Sequence, residues 1–232
     1  MQPFVTHQGR LAVLDWTDVN TDLIIPARYL KRIERTGFGP LLFADKRYVP
    51  GGAPPIDDPD RGGAANPDFP LNHAALRDAT ILVVGRNFGC GSSREHAVWA
   101  VMQAGFRALI APGPGEGFAD IFESNAFNNG LLVIELPQAD WETIATAGRQ
   151  HPGEAEATID LRDQSITLHR GEDSSSRAEP KLSFHVPESH RQRLLQGLDA
   201  IAETLLHEPE IQRYEQAAPA WVSASTSANE IK

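Results

Sequence analysis

The chain reads as an α/β protein with a mostly parallel central sheet and an added β-hairpin. Three observations predict this class. Short β-branched apolar runs recur at ATILVVG (79–85), FRALIA (106–111) and LLVIEL (131–136), the signature of strands buried on both faces. Between the first two, Ala97, Ala100, Val101 and Ala104 recur at helical spacing, and Gly105 stops the helix, so residues 79–111 form a strand–loop–helix–strand unit. Farther on, ATIDL (157–161) and SITLH (165–169) alternate around a short turn, as hairpin strands do.

The elements follow in order. GRLAVL (9–14) has the character of a short strand. DWTDVNTDLII (15–25) passes from turn formers to apolar residues, and residues 26–33 read as a short helix with Pro26 in its first position. RTGFG (35–39) is a turn. Residues 49–70 carry six prolines and four glycines, which rules out a helix or a central strand. This long surface segment is either a linker or a lid over a site. After the unit at 79–111, GPGEG (113–117) is a flexible connection, FADIFESN (118–125) a short helix and FNNG (127–130) a turn. Residues 138–149 suit a helix containing Trp141, GEDSSSRAEP (171–180) is a loop, and LSFHV (182–186) is a last strand. Residues 188–206 have the most regular helical period, with Leu194, Leu195, Leu198, Ile201, Ala202 and Leu205 on one face. One domain is expected over 1–216, and the small, polar residues 217–232 are expected to form a disordered tail.

Composition narrows the function. Among 232 residues, 21 Lys and Arg stand against 31 Asp and Glu, a net charge of −10. That balance disfavours nucleic-acid and anionic-membrane binding. It leaves room for an acidic small molecule, because a local cationic pocket can sit on an acidic protein. The single cysteine, Cys90, excludes an internal disulfide and any site on this chain built from several thiolates. The N-terminal MQPFVTHQGR has no apolar stretch of the secretory kind, and ILVV (81–84) is far too short to span a bilayer. A soluble, cytoplasmic protein is expected.

The most informative stretch is NFGCGSSREHA (87–97). Ser92 and Glu95 match the Ser-x-x-Glu capping box, with Ser92 as the N-cap and Glu95 as the third helical residue. Gly89 and Gly91 allow a sharp turn after the strand. A helix N-terminus at the carboxyl end of a parallel strand suits an anion, and Arg94 adds a planar fork for a carboxylate or phosphate. The stretch is not a P-loop, a dinucleotide fingerprint or a nucleophile elbow, because it lacks the required Lys or Gly residues. Local physics alone leaves two readings: a capped helix with a structural ion pair at Arg94, or part of an active site.

Read whole, NFGCGSSREHA with the following WA, AGF and ALIAP resembles the small subunit of 3-isopropylmalate dehydratase, the swivelling domain of the aconitase superfamily. VNTDLIIPARYL (19–30), RTGFG (35–39), NPDFPLN (66–72), FADIF (118–122), NAFNNGLL (125–132) and GLDAIAETL (197–205) match in the same order. The likeness covers roughly residues 5–215. It implies a swivel-like β/β/α three-layer domain that docks over a large subunit, as a heterodimer or heterotetramer. That partner carries a four-iron–four-sulfur cluster on three cysteines, so no metal or cofactor is expected on this chain. The implied reaction, a step of leucine biosynthesis, removes water from 2-isopropylmalate and adds it back to give 3-isopropylmalate. Related substrates (citramalate, dimethylmalate, homoaconitate) and a non-catalytic module of the same fold are the alternatives.

The resemblance also implies roles. Ser92 matches the catalytic base, which takes a proton from the carbon next to a carboxylate. Ser93 and Arg94 match positions that bind the dicarboxylate substrate. Gly89, Gly91 and Glu95 support the loop. Asp22 and Thr21 lie in the matching N-terminal motif, where they shape the site or simply form a turn. Tyr29 to Arg32 correspond to a segment associated with substrate choice: Leu30 could meet an isopropyl group, Lys31 a second carboxylate. Arg35 is a further candidate for carboxylate contact. His96 is expected to pack rather than to act as a base, and Cys90 to be a small loop residue. GPGEG, the pair Leu132-Val133 and the long 49–70 segment depart from the family pattern and bear on substrate scope.

Overall fold

A computed structural model of the protein describes residues 1–169 and 180–217. In chain order its elements are β1 (Thr6–Leu14), α1 (Thr21–Ile24), α2 (Ala44–Arg47), β2 (Ala79–Val84), α3 (Glu95–Gln103), β3 (Ala108–Gly113), α4 (Asp120–Asn129), β4 (Leu132–Pro137), α5 (Gln138–Gln150), β5 (Glu156–Asp160), β6 (Ser165–His169), β7 (Lys181–Ser183), α6 (Glu188–Gln196), α7 (Ala200–Leu205) and α8 (Glu208–Ala217), with short 3-10 turns between some of them. The described strands join in one sheet of order β4-β3-β2-β1-β5-β6-β7. β1 to β4 are mutually parallel, and β5, β6 and β7 add antiparallel ladders at the β1 edge. The parallel centre and the added hairpin are the architecture expected from the sequence.

The nine-residue β1 joins the two halves. Its first half, Thr6 to Arg10, pairs antiparallel with Asp160 to Glu156. Its second half, Leu11 to Leu14, pairs parallel with Ile81 to Val84 after a register shift at Arg10/Leu11. The burial pattern follows that division, since the first half is partly exposed and Leu11, Ala12 and Leu14 are core. The strand therefore starts three residues earlier than GRLAVL, in a segment whose mixed polarity hides it. β2 to β4 are mostly apolar because both faces are largely covered. α5 packs over β1, β3 and β4. Trp141 is buried in it, and its indole N–H donates to the Val84 carbonyl at 2.9 Å.

Several local expectations need correction. FNN does not turn: α4 runs on to Asn129 before the left-handed Gly130. Asn129 is held there by long-range bonds, accepting from the Trp99 indole at 2.9 Å and donating to Glu95 at 2.8 Å. The single helix over 188–206 is two. α6 ends at Gly197, whose φ of 69° closes it, and α7 restarts with the Asp199 side chain accepting from the Ala202 N–H. Of the predicted apolar face, Leu194 is core, whereas Ile201 and Leu205 stand 73% and 57% exposed. The last strand covers three residues rather than LSFHV, and Val186 is fixed instead by its N–H to Gln164 Oε1. Residues 171–179 of the expected loop and 218–232 of the expected tail lie outside the described residues; Ala217 ends α8.

The proline-rich 49–70 segment is fastened down. It folds back on itself through Val49 N–H to Ala64 O at 3.1 Å and Gly63 N–H to Gly52 O at 2.8 Å. It is tied to the 27–32 turn by the buried Tyr29, whose hydroxyl donates to Pro54 O at 2.8 Å, and by the Arg32 guanidinium on Ile56 O.

Candidate active site at the carboxyl ends of the strands

Beyond their last strand residues, the three segments following β1, β2 and β3 continue side by side. On one side Asp18 N–H donates to Arg86 O (2.9 Å), Gly89 N–H to Val19 O (2.7 Å) and Thr21 N–H to Cys90 O (2.8 Å). On the other, Asn87 N–H donates to Glu116 O (2.8 Å), Phe88 N–H to Gly117 O (2.9 Å) and Ala119 N–H to Phe88 O (3.0 Å). The loop after β2 is thus held between two flanking segments at the end of the sheet where α/β folds bind ligands.

The capping box is not formed. α3 begins at Glu95 with Arg94 as its N-cap, and no side chain caps it. Cys90 O and Ser92 O are engaged by Thr21, which keeps the chain from coiling early. Glu95 sits in the first helical position rather than the third. Its carboxylate accepts from Asn129 instead of reaching back to residue 92.

What results is a compact group. Asn20 caps the one-turn α1, its side chain accepting from the Leu23 N–H at 2.8 Å. Thr21, 2% exposed, donates its hydroxyl to Ser92 O at 2.9 Å. Asp22 and Arg94 form a bidentate pair, with Arg94 Nη2 donating to Oδ2 at 2.8 Å and Nη1 meeting Oδ1. The guanidinium is nearly buried, while the Asp22 side chain is 58% exposed. The bond from Arg94 holds the Asp22 carboxyl below the usual carboxylate range. Ser92 and Ser93 are exposed, and neither hydroxyl has a partner among the described residues.

The structure therefore brings Ser92, Arg94, Asp22, Gly89 and Gly91 together. It keeps the other predicted contacts on a separate segment. Leu30 packs partly against the core and Lys31 is exposed. Arg35 lies over the Trp99 ring at 5.7 Å, and its carbonyl accepts from Gln103 at 2.8 Å. None of the three hydrogen-bonds to residues 89–95 among the described residues. His96 packs against Phe38 and Trp99, and burial lowers its pKa, which suits a neutral packing group. Burial, with Asp18 nearby, raises the Cys90 thiol above its ordinary value, so it is no ready nucleophile. Among the described residues no three His, Cys, Asp or Glu side chains gather as a metal site, and no helix is long and apolar enough to cross a membrane.

Sequence reasoning missed the supports. Glu135 on β4 accepts N–H groups from Gly117 at 2.8 Å, Phe118 at 3.3 Å and Gly115. That carboxylate orders GPGEG beside Asn87 and Phe88; nothing in the local sequence marks it. Glu135→Ala leaves three amides without their acceptor. It is expected to cost about 2 kcal/mol and to lower the melting temperature by roughly 4–8 °C. An unchanged melting curve would show that the loop stands without Glu135.

A family model for the aconitase C-terminal domain matches residues 1–139. Curated relatives match nearly end to end and carry the name 3-isopropylmalate dehydratase small subunit. The one from Rhodopirellula baltica is 46% identical over 94% of this chain and 99% of its own length. Those from Desulforapulum autotrophicum and Bacillus subtilis are 42% and 41% identical over 96% and 97% of this chain, and 98% and 100% of theirs. A crystal structure of 3-isopropylmalate dehydratase from Methanocaldococcus jannaschii shares the fold, with a TM-score of 0.55 and 23% identity over 91% of this chain and 99% of that one.

Proposed function

The chain belongs to the aconitase C-terminal domain family, with small subunits of 3-isopropylmalate dehydratase as its relatives, and from that premise we propose that it supplies the proton-transfer half of a two-subunit hydro-lyase. The substrate is 2-isopropylmalate, isomerised to 3-isopropylmalate by loss and return of water in the cytoplasm. The partner is the large subunit, which is where this reading places the four-iron–four-sulfur cluster; bound there, the cluster supplies a Lewis acid for the departing hydroxyl. The observation that carries the reading is the placement of an exposed Ser92 beside the Asp22–Arg94 pair at the carboxyl end of the sheet.

Ser92 Oγ takes the proton from the carbon adjacent to a substrate carboxylate as the hydroxyl leaves the neighbouring carbon; on rehydration the hydroxyl adds to the first carbon and Ser92 gives its proton to the second. Charge then builds on that carboxylate, and a fixed cation nearby stabilises it more in the transition state than in the ground state. Arg94 is that cation. Its guanidinium carries five N–H donors. Asp22 and the Ile25 carbonyl take three of them, which leaves two for the substrate. Asp22 therefore fixes the plane of the fork without filling it. Ser93 lies next to Ser92 and offers a further donor. No base on this chain reaches Ser92 among the described residues, so its activation depends on the closed complex with the large subunit.

The test is to co-purify the chain with its large subunit and assay isopropylmalate, citramalate, dimethylmalate and homoaconitate. Turnover is expected only from the pair, and fastest with isopropylmalate. Turnover by the chain alone would refute the division of labour, and a preference for another diacid would reassign the substrate.

A further inference from the structure

We propose that Thr21 is the positioning residue of the Ser92 loop: its buried hydroxyl sets where the serine side chain points. The inference rests on Ser92 being the base. Gly89 and Gly91 both have positive φ, 80° and 93°, so the backbone on either side of Cys90 is held by few local preferences. Something outside the loop must fix it. Thr21 does so at two alternate residues. Its N–H donates to Cys90 O at 2.8 Å, and its hydroxyl donates to Ser92 O at 2.9 Å. The two bonds bracket Gly91. Among the described residues, the hydroxyl bond is the one hydrogen bond that reaches residue 92.

Two features separate this from an ordinary turn contact. Thr21 is 2% exposed, and among the described residues Ser165, in the remote hairpin, is the only other buried Ser, Thr, Asn, Gln or charged residue. Its hydroxyl is thus desolvated for a single acceptor, the carbonyl of the reacting residue. In addition, the next residue in the chain, Asp22, holds Arg94. One turn of helix thereby sets Ser92 and Arg94 in a common frame, and the distance between base and carboxylate clamp depends on it. With the Ser92 carbonyl anchored, the range of positions open to its Cβ and Oγ is narrowed.

The consequence is a kinetic signature. A base displaced by a fraction of its working distance loses rate without losing substrate, because the carboxylate contacts at Arg94 remain. In the complex with the large subunit, Thr21→Val is expected to lower kcat roughly ten- to a hundredfold, with KM within about twofold. Thr21→Ser, which keeps the donor, is expected to recover kcat to within about threefold of the parent. Thr21→Ala supplies the same comparison should the Val variant fail to assemble, and Ser must then exceed Ala by about tenfold in kcat. Equal rates for the hydroxyl-bearing and hydroxyl-lacking variants overturn the inference, as does a loss confined to KM. Ser92→Ala is measured alongside. If it is inactive while Thr21→Val runs at the parent rate, the positioning role falls alone; if Ser92→Ala keeps its rate, the base assignment falls and the inference falls with it.

Discussion

Ser92→Ala, in complex with the large subunit, is expected to lose turnover by about 10²–10⁴-fold, the usual contribution of a positioned general base. The variant is well suited to isolate chemistry from structure. The Ser92 side chain is exposed and has no partner among the described residues, and the bond that holds the residue goes to its backbone carbonyl. Alanine keeps that carbonyl. Thr21 therefore still grips the loop, and Arg94 still pairs with Asp22. Stability is expected to stay within about 0.5 kcal/mol of the parent, with assembly intact and KM little changed. Rates within a few-fold of the parent, measured with 2-isopropylmalate at saturating concentration, would remove Ser92 from the mechanism. Loss of assembly instead would recast it as an interface residue.

The parts of the molecule that sequence reasoning reached are those whose cause is local. β2, β3 and β4 are mostly apolar because their faces are largely covered, and that signal needs no knowledge of the covering partner. The β5–β6 hairpin shows as alternation because one period of two residues sets it. The failures have a common origin in longer-range bonds. Ser92 and Glu95 have the spacing of a capping box, but the Ser92 carbonyl, which would open an earlier helix, is engaged by Thr21, 71 residues away in the chain. Asn128 and Asn129 have turn-forming preferences, yet Trp99 and Glu95 hold Asn129 in α4. The break at Gly197 is a different case. A glycine stop followed by the Asp199 cap was written in the sequence, and the hydrophobic period running across it masked the signal. For the candidate site, the family likeness singled out Ser92 and Arg94, but it did not show that Arg94 would already be held by Asp22. That pairing joins residues 72 positions apart and decides how much of the guanidinium is left for a substrate.

Gly89→Ala is the substitution on the site loop with the largest expected effect on stability. Gly89 has a φ of 80°, and a Cβ built there would lie 2.3 Å from Phe122 Cγ. The ring cannot easily yield. Phe122 is 2% exposed, stacks on Phe118 at 6.2 Å and meets Phe88 edge-on at 5.3 Å. The backbone cannot easily yield either, because Gly89 N–H is bound to Val19 O and Phe88 is bonded to both Gly117 and Ala119. Left-handed backbone costs an L-residue about 1–2 kcal/mol, and forcing a methyl into a packed core costs a further 1–3 kcal/mol or so. About 3 kcal/mol in total is a large share of the roughly 5–15 kcal/mol that holds a typical domain. The contribution of the ring can be isolated by experiment. In a Phe122→Ala background the ring is gone but the residue 122 Cβ, 2.5 Å from the added methyl, remains, so the penalty of Gly89→Ala should fall by about 1 kcal/mol without reaching the backbone cost alone. The difference between the two penalties is the steric coupling of loop to core. An equal penalty in both backgrounds would show that the Phe122 ring plays no part in requiring glycine at this position.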